Sequence, residues 1–123
     1  MRNFKNIKAY ELSDKLVIKI YKVVKTFPKE EIYGLTSQLK RASVSVPSNI
    51  AEGASRQHKK DYLNFLYIAR GSLSETEYLL SLSLKLNYLS DLKYNELEET
   101  RKDAAKTLYG LINAVSKEIQ KGH

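Results

Sequence analysis

The sequence predicts an all-α fold, an antiparallel up-down-up-down four-helix bundle in which residues 1–123 form a single domain. Three observations predict it. Apolar residues recur at helical spacing over four stretches, the three connections are short, and no stretch alternates with the period of two that a strand requires. At 123 residues the chain can bury about two-thirds of its unfolded surface, so no disulfide or metal staple is needed.

Residues 1–8 are polar, lack a clear cap and are expected to trail at the surface. The first helix is expected from about Ala9 to Thr26, with Leu12, Leu16, Ile20, Val23, Val24 and Phe27 facing inward. Lys8, Lys15, Lys19 and Lys22 gather on another side. Ile18 and Tyr21 belong to neither group; pointing at water in a monomer, they mark a subunit contact. Phe27-Pro28 ends the helix, because proline pushes the residue before it out of the helical region. The short link Lys29–Gly34 then favours an antiparallel neighbour.

The second helix, from Gly34 to Gly53, carries two stripes. Leu35, Leu39, Ala42, Val46 and Ile50 make an apolar one, and Arg41, Ser45, Ser48 and Glu52 make a polar one. One buried face suffices to hold a helix, so the polar stripe hints at a partner. Pro47 donates no hydrogen bond and crowds the preceding turn, which predicts a kink near Val46; the alternative is two short helices split there. Ser43, Ser45 and Ser48 are placed to return hydroxyl hydrogen bonds to freed carbonyls, and Gly53 can close the helix in the left-handed conformation.

After the turn Ala54–His58, with Ser55 as a plausible cap, the third helix is expected from about Lys59 to Leu86, roughly 40 Å at the helical rise. Tyr62, Phe65, Leu66, Ala69, Leu73, Leu80 and Leu84 form its main stripe. Ile68, Leu79, Leu82 and Leu86, extended by Tyr67 and Tyr78, form a second one that calls for cover by another subunit. Gly71 and Ser72 lower helix propensity in mid-helix, which close approach by a neighbour would offset. The fourth helix, about Leu92 to Gln120 and capped by Ser90 or Asp91, faces inward with Leu97, Ala104, Leu108, Leu111, Ile112, Val115 and Ile119. Arg101 falls within that stripe; a guanidinium snorkelling to the rim is expected over a buried pairing with Glu52 or Glu77.

The net charge of +7 is uneven. Residues 1–60 hold thirteen Lys/Arg against five Asp/Glu, and the remainder eight against nine, so the basic character belongs to the first two helices and the turn after them. A polyanion partner follows as an expectation.

Enzyme chemistry finds little support. His58 lies in a turn and His123 at the end, and Ser45 has no base beside it. No Glu-x-x-His pair, Gly-rich phosphate loop or nucleophile elbow occurs, so no catalytic residue, metal or cofactor is expected. With no cysteine, no apolar run of membrane-spanning length and no hydrophobic leader, a cytoplasmic protein is expected.

Phe27-Pro28, Tyr33-Gly34-Leu35, Ser37-Gln38-Leu39-Lys40-Arg41-Ala42, the run Ser45-Val46-Pro47-Ser48-Asn49-Ile50-Ala51-Glu52-Gly53, and Ala69-Arg70-Gly71-Ser72-Leu73 with Glu75 resemble the 23S rRNA-intervening-sequence proteins, or S23 family. Within the run, Ser45, Pro47, Asn49, Glu52 and Gly53 are the family-motif residues. The resemblance implies a four-helix bundle and a ring-like homopentamer. It also implies kinship to the accessory variability determinant of diversity-generating retroelements, which binds nucleic acid and a reverse transcriptase. Lys40 stands where an arginine is common, keeping charge but losing the planar fork. Gln57 stands near where a serine or threonine cap is usual.

The expected function is a non-enzymatic oligomeric scaffold that binds RNA or DNA phosphates through Lys15, Lys19, Lys22, Lys40, Arg41, Arg56, Lys59 and Lys60. The alternative is an oligomeric adaptor that docks a protein. Ile18, Tyr21, Ile68, Leu79, Leu82 and Leu86 are the expected subunit contacts.

Overall fold

The computed structural model describes residues 2–122; His123 lies outside them. Four helices, α1 (Lys8–Val23), α2 (Leu35–Ala54), α3 (Lys59–Lys85) and α4 (Asp91–Lys121), account for nearly all of it, and no strand occurs among the described residues. Single 3-10 turns at Phe4–Asn6, Val24–Thr26 and Lys29–Glu31 complete the chain. Each helix packs on its sequence neighbours, and α1 also packs on α4. No helix among the described residues is long and apolar enough to cross a membrane.

One apolar core draws on all four helices, with Leu16, Ile20, Leu39, Ile50, Leu66, Leu80 and Leu108 fully buried. Each such side chain contributes about 1.5–3 kcal/mol relative to exposure. On α1 the buried set is Ala9, Ser13, Leu16, Val17 and Ile20, a stripe rotated from the expected one, while Leu12 and Val23 pack on its flank. The rotation follows from the two neighbours, α2 and α4, that share the inner side of α1.

The helix ends are set by specific groups. Glu31 begins α2: its carboxylate accepts the Leu35 N–H at 3.0 Å and the Tyr88 hydroxyl at 2.8 Å. Those two hydrogen bonds, the Leu35 one foremost, hold Glu31 below its ordinary pKa. Ser90 caps α4 as expected, accepting the Lys93 N–H at 3.1 Å. Ser55 does not cap α3; its hydroxyl turns back to the Glu52 carbonyl at 2.7 Å, and His58 takes the N-cap position without a side-chain bond. Asn87, at φ 62°, ends α3 in the left-handed conformation, with Tyr88 N–H returning to the Ser83 carbonyl at 2.9 Å.

α2 is one helix with Pro47 buried inside it, so the split into two helices is excluded. The serines around Pro47 bond elsewhere than expected. Ser43 Oγ donates to the Lys40 carbonyl at 3.1 Å, Ser45 Oγ shares a hydrogen bond with Ser72 Oγ at 2.8 Å, and Asn49 donates to the Ser45 carbonyl at 2.7 Å. Gly53 does not close the helix either, since no glycine has positive φ and α2 runs on to Ala54. It is instead a point of close approach. A Cβ there would lie 2.7 Å from Phe65 Cβ and 3.3 Å from the Tyr62 carbonyl oxygen on α3. Gly53→Ala is therefore expected to destabilise the protein by about 1–3 kcal/mol, the usual cost of overpacking, although alanine is the better helix former. Urea unfolding reads it; a midpoint equal to the parent's would contradict this account.

Two further expectations are corrected. Arg101 does not snorkel: it is 7% exposed and donates to Glu98 through both Nε and Nη2 and to Glu77 Oε2 at 3.1 Å. The Glu98 hydrogen bond foremost, with the negative charges of Glu98 and Glu77 outweighing burial, raises its pKa further and keeps it charged. Leu79 is 3% exposed and belongs to the core, and Leu82 packs against that core. Because α3 is flanked by both α2 and α4, its buried arc is wide enough to take in the nearer members of its second stripe. Leu79 is therefore not free for a subunit contact, while Leu82 stays partly exposed.

Candidate nucleic-acid interface

The eight candidate cations fall into three groups rather than one patch. The first lies along α1. Lys15 and Lys22 are exposed and make no ion pair among the described residues, whereas Lys19 Nζ donates to Thr100 Oγ1 on α4 at 2.9 Å. Lys19 and Lys22 border an open groove of about 440 Å³ between α1 and α4, with Lys93 and Glu96 on its far wall.

The second group sits at the start of α2. Lys40 Nζ stands 4.9 Å from the Tyr21 ring centroid, and Arg41 pairs with Glu75 of α3 at 2.8 Å. The third group lies beyond the other end of α2, roughly 20 Å away at the helical rise. There Arg56 pairs with Glu52 at 2.9 Å and covers the Phe65 ring, Lys59 pairs with Glu118 at 3.6 Å, and Lys60 is exposed without an ion pair among the described residues. Arg2, which the sequence reading set aside with the trailing N-terminus, joins this end. It donates to the Arg56 carbonyl at 2.8 Å and stacks on Tyr62 at 4.3 Å.

Sequence reasoning also missed Lys25, Lys29 and Tyr33. They border an open groove of about 730 Å³ between the end of α1 and the start of α2, which Tyr21, Thr36, Lys40 and Arg41 also line. The available signal was two lysines flanking Phe27-Pro28 and a tyrosine just before Gly34.

The polar stripe of α2 is largely used within the chain. Arg41 meets Glu75, Ser45 meets Ser72 and Glu52 meets Arg56, while Ser48 stays exposed. The motif residues Ser45, Pro47, Asn49 and Gly53 thus build α2 and its seam with α3. No base stands beside Ser45, His58 is exposed, and no metal-binding cluster occurs among the described residues. Of the expected subunit contacts, Ile18, Ile68, Leu86 and Tyr21 stay exposed, at 50%, 52%, 44% and 40%. Gly71 has no atom of its own chain near a Cβ position, so nothing within the chain explains its place in mid-helix.

Four amphipathic helices around one core, with cations spread along the outside, define a small basic four-helix protein. The chain belongs to the 23S rRNA-intervening sequence protein family, whose model matches residues 5–110. It is also similar to a crystal structure of a protein of unknown function from the S23 ribosomal protein family of Bacteroides thetaiotaomicron. That likeness has a TM-score of 0.78 at 25% identity and covers 85% of this chain and 97% of the other. No curated protein matches the chain.

Proposed function

We propose that this chain is a non-enzymatic, cytoplasmic homo-oligomeric scaffold that grips the phosphate backbone of RNA or DNA with little sequence specificity. The observation that carries this reading is the uneven charge, thirteen Lys/Arg against five Asp/Glu in residues 1–60. Lys15, Lys22 and Lys60 project it without ion pairs among the described residues. The pairs on Arg41, Arg56 and Lys59 are exposed, and such pairs are worth about 0–1 kcal/mol, little enough for a phosphate to displace the carboxylate. Lysines at helical spacing supply point charges and read no bases.

The helices are read as up-down-up-down, with α2 bent at Pro47. Arg41 meets Glu75, Ser45 meets Ser72 and Gly53 approaches Tyr62, so residue numbers rise along α2 as they fall along α3. In a ring, two different patches must face each other. The outward faces of α1, with Ile18, and of α3, with Ile68 and Leu86, supply two. The resemblance to the family implies five subunits, and each weak phosphate contact then recurs around the ring.

The test is binding to a structured RNA and a matched DNA duplex across a salt series, with solution mass recorded in the same buffers. Log affinity should fall linearly with log salt, and replacing Lys15, Lys19 and Lys22 together by alanine should flatten the slope by about two to three. Unchanged binding in that variant, or no binding at low salt by an intact oligomer, overturns the reading. A protein-docking adaptor would then be favoured, which the carboxylate partners of Arg41, Arg56 and Lys59 already allow.

A further inference from the structure

We infer that the groove between the end of α1 and the start of α2 binds a nucleotide unit, its phosphate held by Lys25, Lys29 and Lys40 and its base stacked on Tyr33. This rests on the nucleic-acid reading above and deepens it, since it selects an unpaired base over a duplex.

Tyr33 is 97% exposed, the most exposed large apolar side chain among the described residues. It does not ride on a loose loop. Residues on both sides of it are tied down: Glu31 is hydrogen-bonded to the Leu35 N–H and the Tyr88 hydroxyl, and the Gly34 N–H donates to the Glu31 carbonyl at 3.0 Å. An aromatic ring left in water on an anchored backbone is a stacking platform whose main chain needs little ordering when a base arrives.

The charged residues that line the groove are of one sign. Lys25, Lys29, Lys40 and Arg41 line the groove and no carboxylate does, because Glu31 is engaged at the helix start and Glu75 lies on Arg41 from the α3 side. Lys25 and Lys29 make no ion pair among the described residues, and Lys40 is held over Tyr21 rather than by an acid. Thr36, which also borders the groove, has the one buried side-chain polar atom that lacks a hydrogen-bond partner among the described residues, its hydroxyl oxygen. Threonine on a helix has two accessible rotamers, so this hydroxyl can turn to a phosphate oxygen. At about 730 Å³ the groove falls within the range of sites for small ligands, ~300–1,000 Å³. Cations alone would suit any anion; a fully exposed ring beside them adds the π-face that a base requires.

The experiment uses the full chain and fluorescein-labelled octamers of thymidylate and uridylate read by anisotropy, with a blunt duplex, ADP and inorganic pyrophosphate as competitors. Tyr33→Ala should weaken octamer binding about tenfold, Tyr33→Phe should bind like the parent, and duplex binding should not change in either. Lys25→Ala with Lys29→Ala should weaken the octamer and flatten its salt slope. Lys102→Ala with Lys106→Ala, on the exposed side of α4, should leave it unchanged. Displacement by ADP at concentrations where pyrophosphate fails identifies a free nucleotide as sufficient; a Tyr33-dependent octamer that ADP does not displace identifies a single strand. Pyrophosphate competing as well as ADP while Tyr33→Ala binds normally would mean a plain anion site, and the proposal falls. It also falls, with the scaffold reading intact, when binding is lost on neutralising Lys15 and Lys22 but not in the Tyr33, Lys25 or Lys29 variants. No binding of any probe at low salt overturns both.

Discussion

Arg101→Ala is expected to destabilise the protein by about 3–5 kcal/mol, the usual cost of removing one partner from a buried ion pair. The side chains of Arg101 and Glu98 are 8% and 11% exposed, so Glu98 would keep its charge where water cannot reach it freely. A typical domain has ~5–15 kcal/mol to lose, so this single change takes a large share. Glu77, at 53% exposure, is a minor partner, and Glu77→Ala should cost less than about 1 kcal/mol. Arg101→Lys should fall between the two, because an ammonium cannot reproduce the forked bond to Glu98. Arg101→Met combined with Glu98→Leu should recover most of the loss, since an apolar pair leaves no stranded charge. Urea unfolding of the four variants at neutral pH decides it; Arg101→Ala within about 1 kcal/mol of the parent would show that water solvates Glu98 after all.

The second large effect separates members of a single apolar stripe of α3 that look alike in sequence. Leu79→Asp should unfold the chain: it forfeits the ~2–5 kcal/mol of a core leucine and also buries a carboxylate without a partner. Ile68→Asp and Leu86→Asp sit on exposed positions, where a substitution changes the stability of a lone protomer by about 0.5 kcal/mol or less. Their effect should appear in assembly instead, with solution mass falling to the 14.1 kDa of one chain while circular dichroism stays helical. Ile18→Asp should act likewise if α1 supplies the opposing patch of a ring. Unchanged mass in all three surface variants would falsify the subunit contact, and a folded Leu79→Asp protein would remove Leu79 from the core.

The four helices, their approximate limits and most of the core were legible in the residues. Leu16, Ile20, Leu39, Val46, Ile50, Leu66, Leu80 and Leu108 are buried where their spacing placed them. Helical periodicity is local, set by residues three and four apart, so a stretch of sequence carries it unaided. The Ser90 cap is local in the same way. The candidate site was less legible. Lys15, Lys22 and Lys60 stay unpaired among the described residues, but Arg41, Arg56 and Lys59 meet carboxylates, and the eight cations divide into three places. Tyr33, Lys25 and Lys29 gain meaning only when the chain folds back to form a groove beside Lys40.

By itself, then, the sequence determined a basic all-α chain of four amphipathic helices and carried the motifs of its family. The tertiary structure decided that Leu79 is core and Ile68 surface, because the width of a helix's buried arc depends on how many neighbours flank it. It decided that Arg101 is buried and reaches across to Glu77 of α3, and that Gly53 is small to admit Phe65 and Tyr62. These outcomes rest on contacts through space between residues distant in the chain or on different faces, and a periodicity of three and four residues carries no record of them.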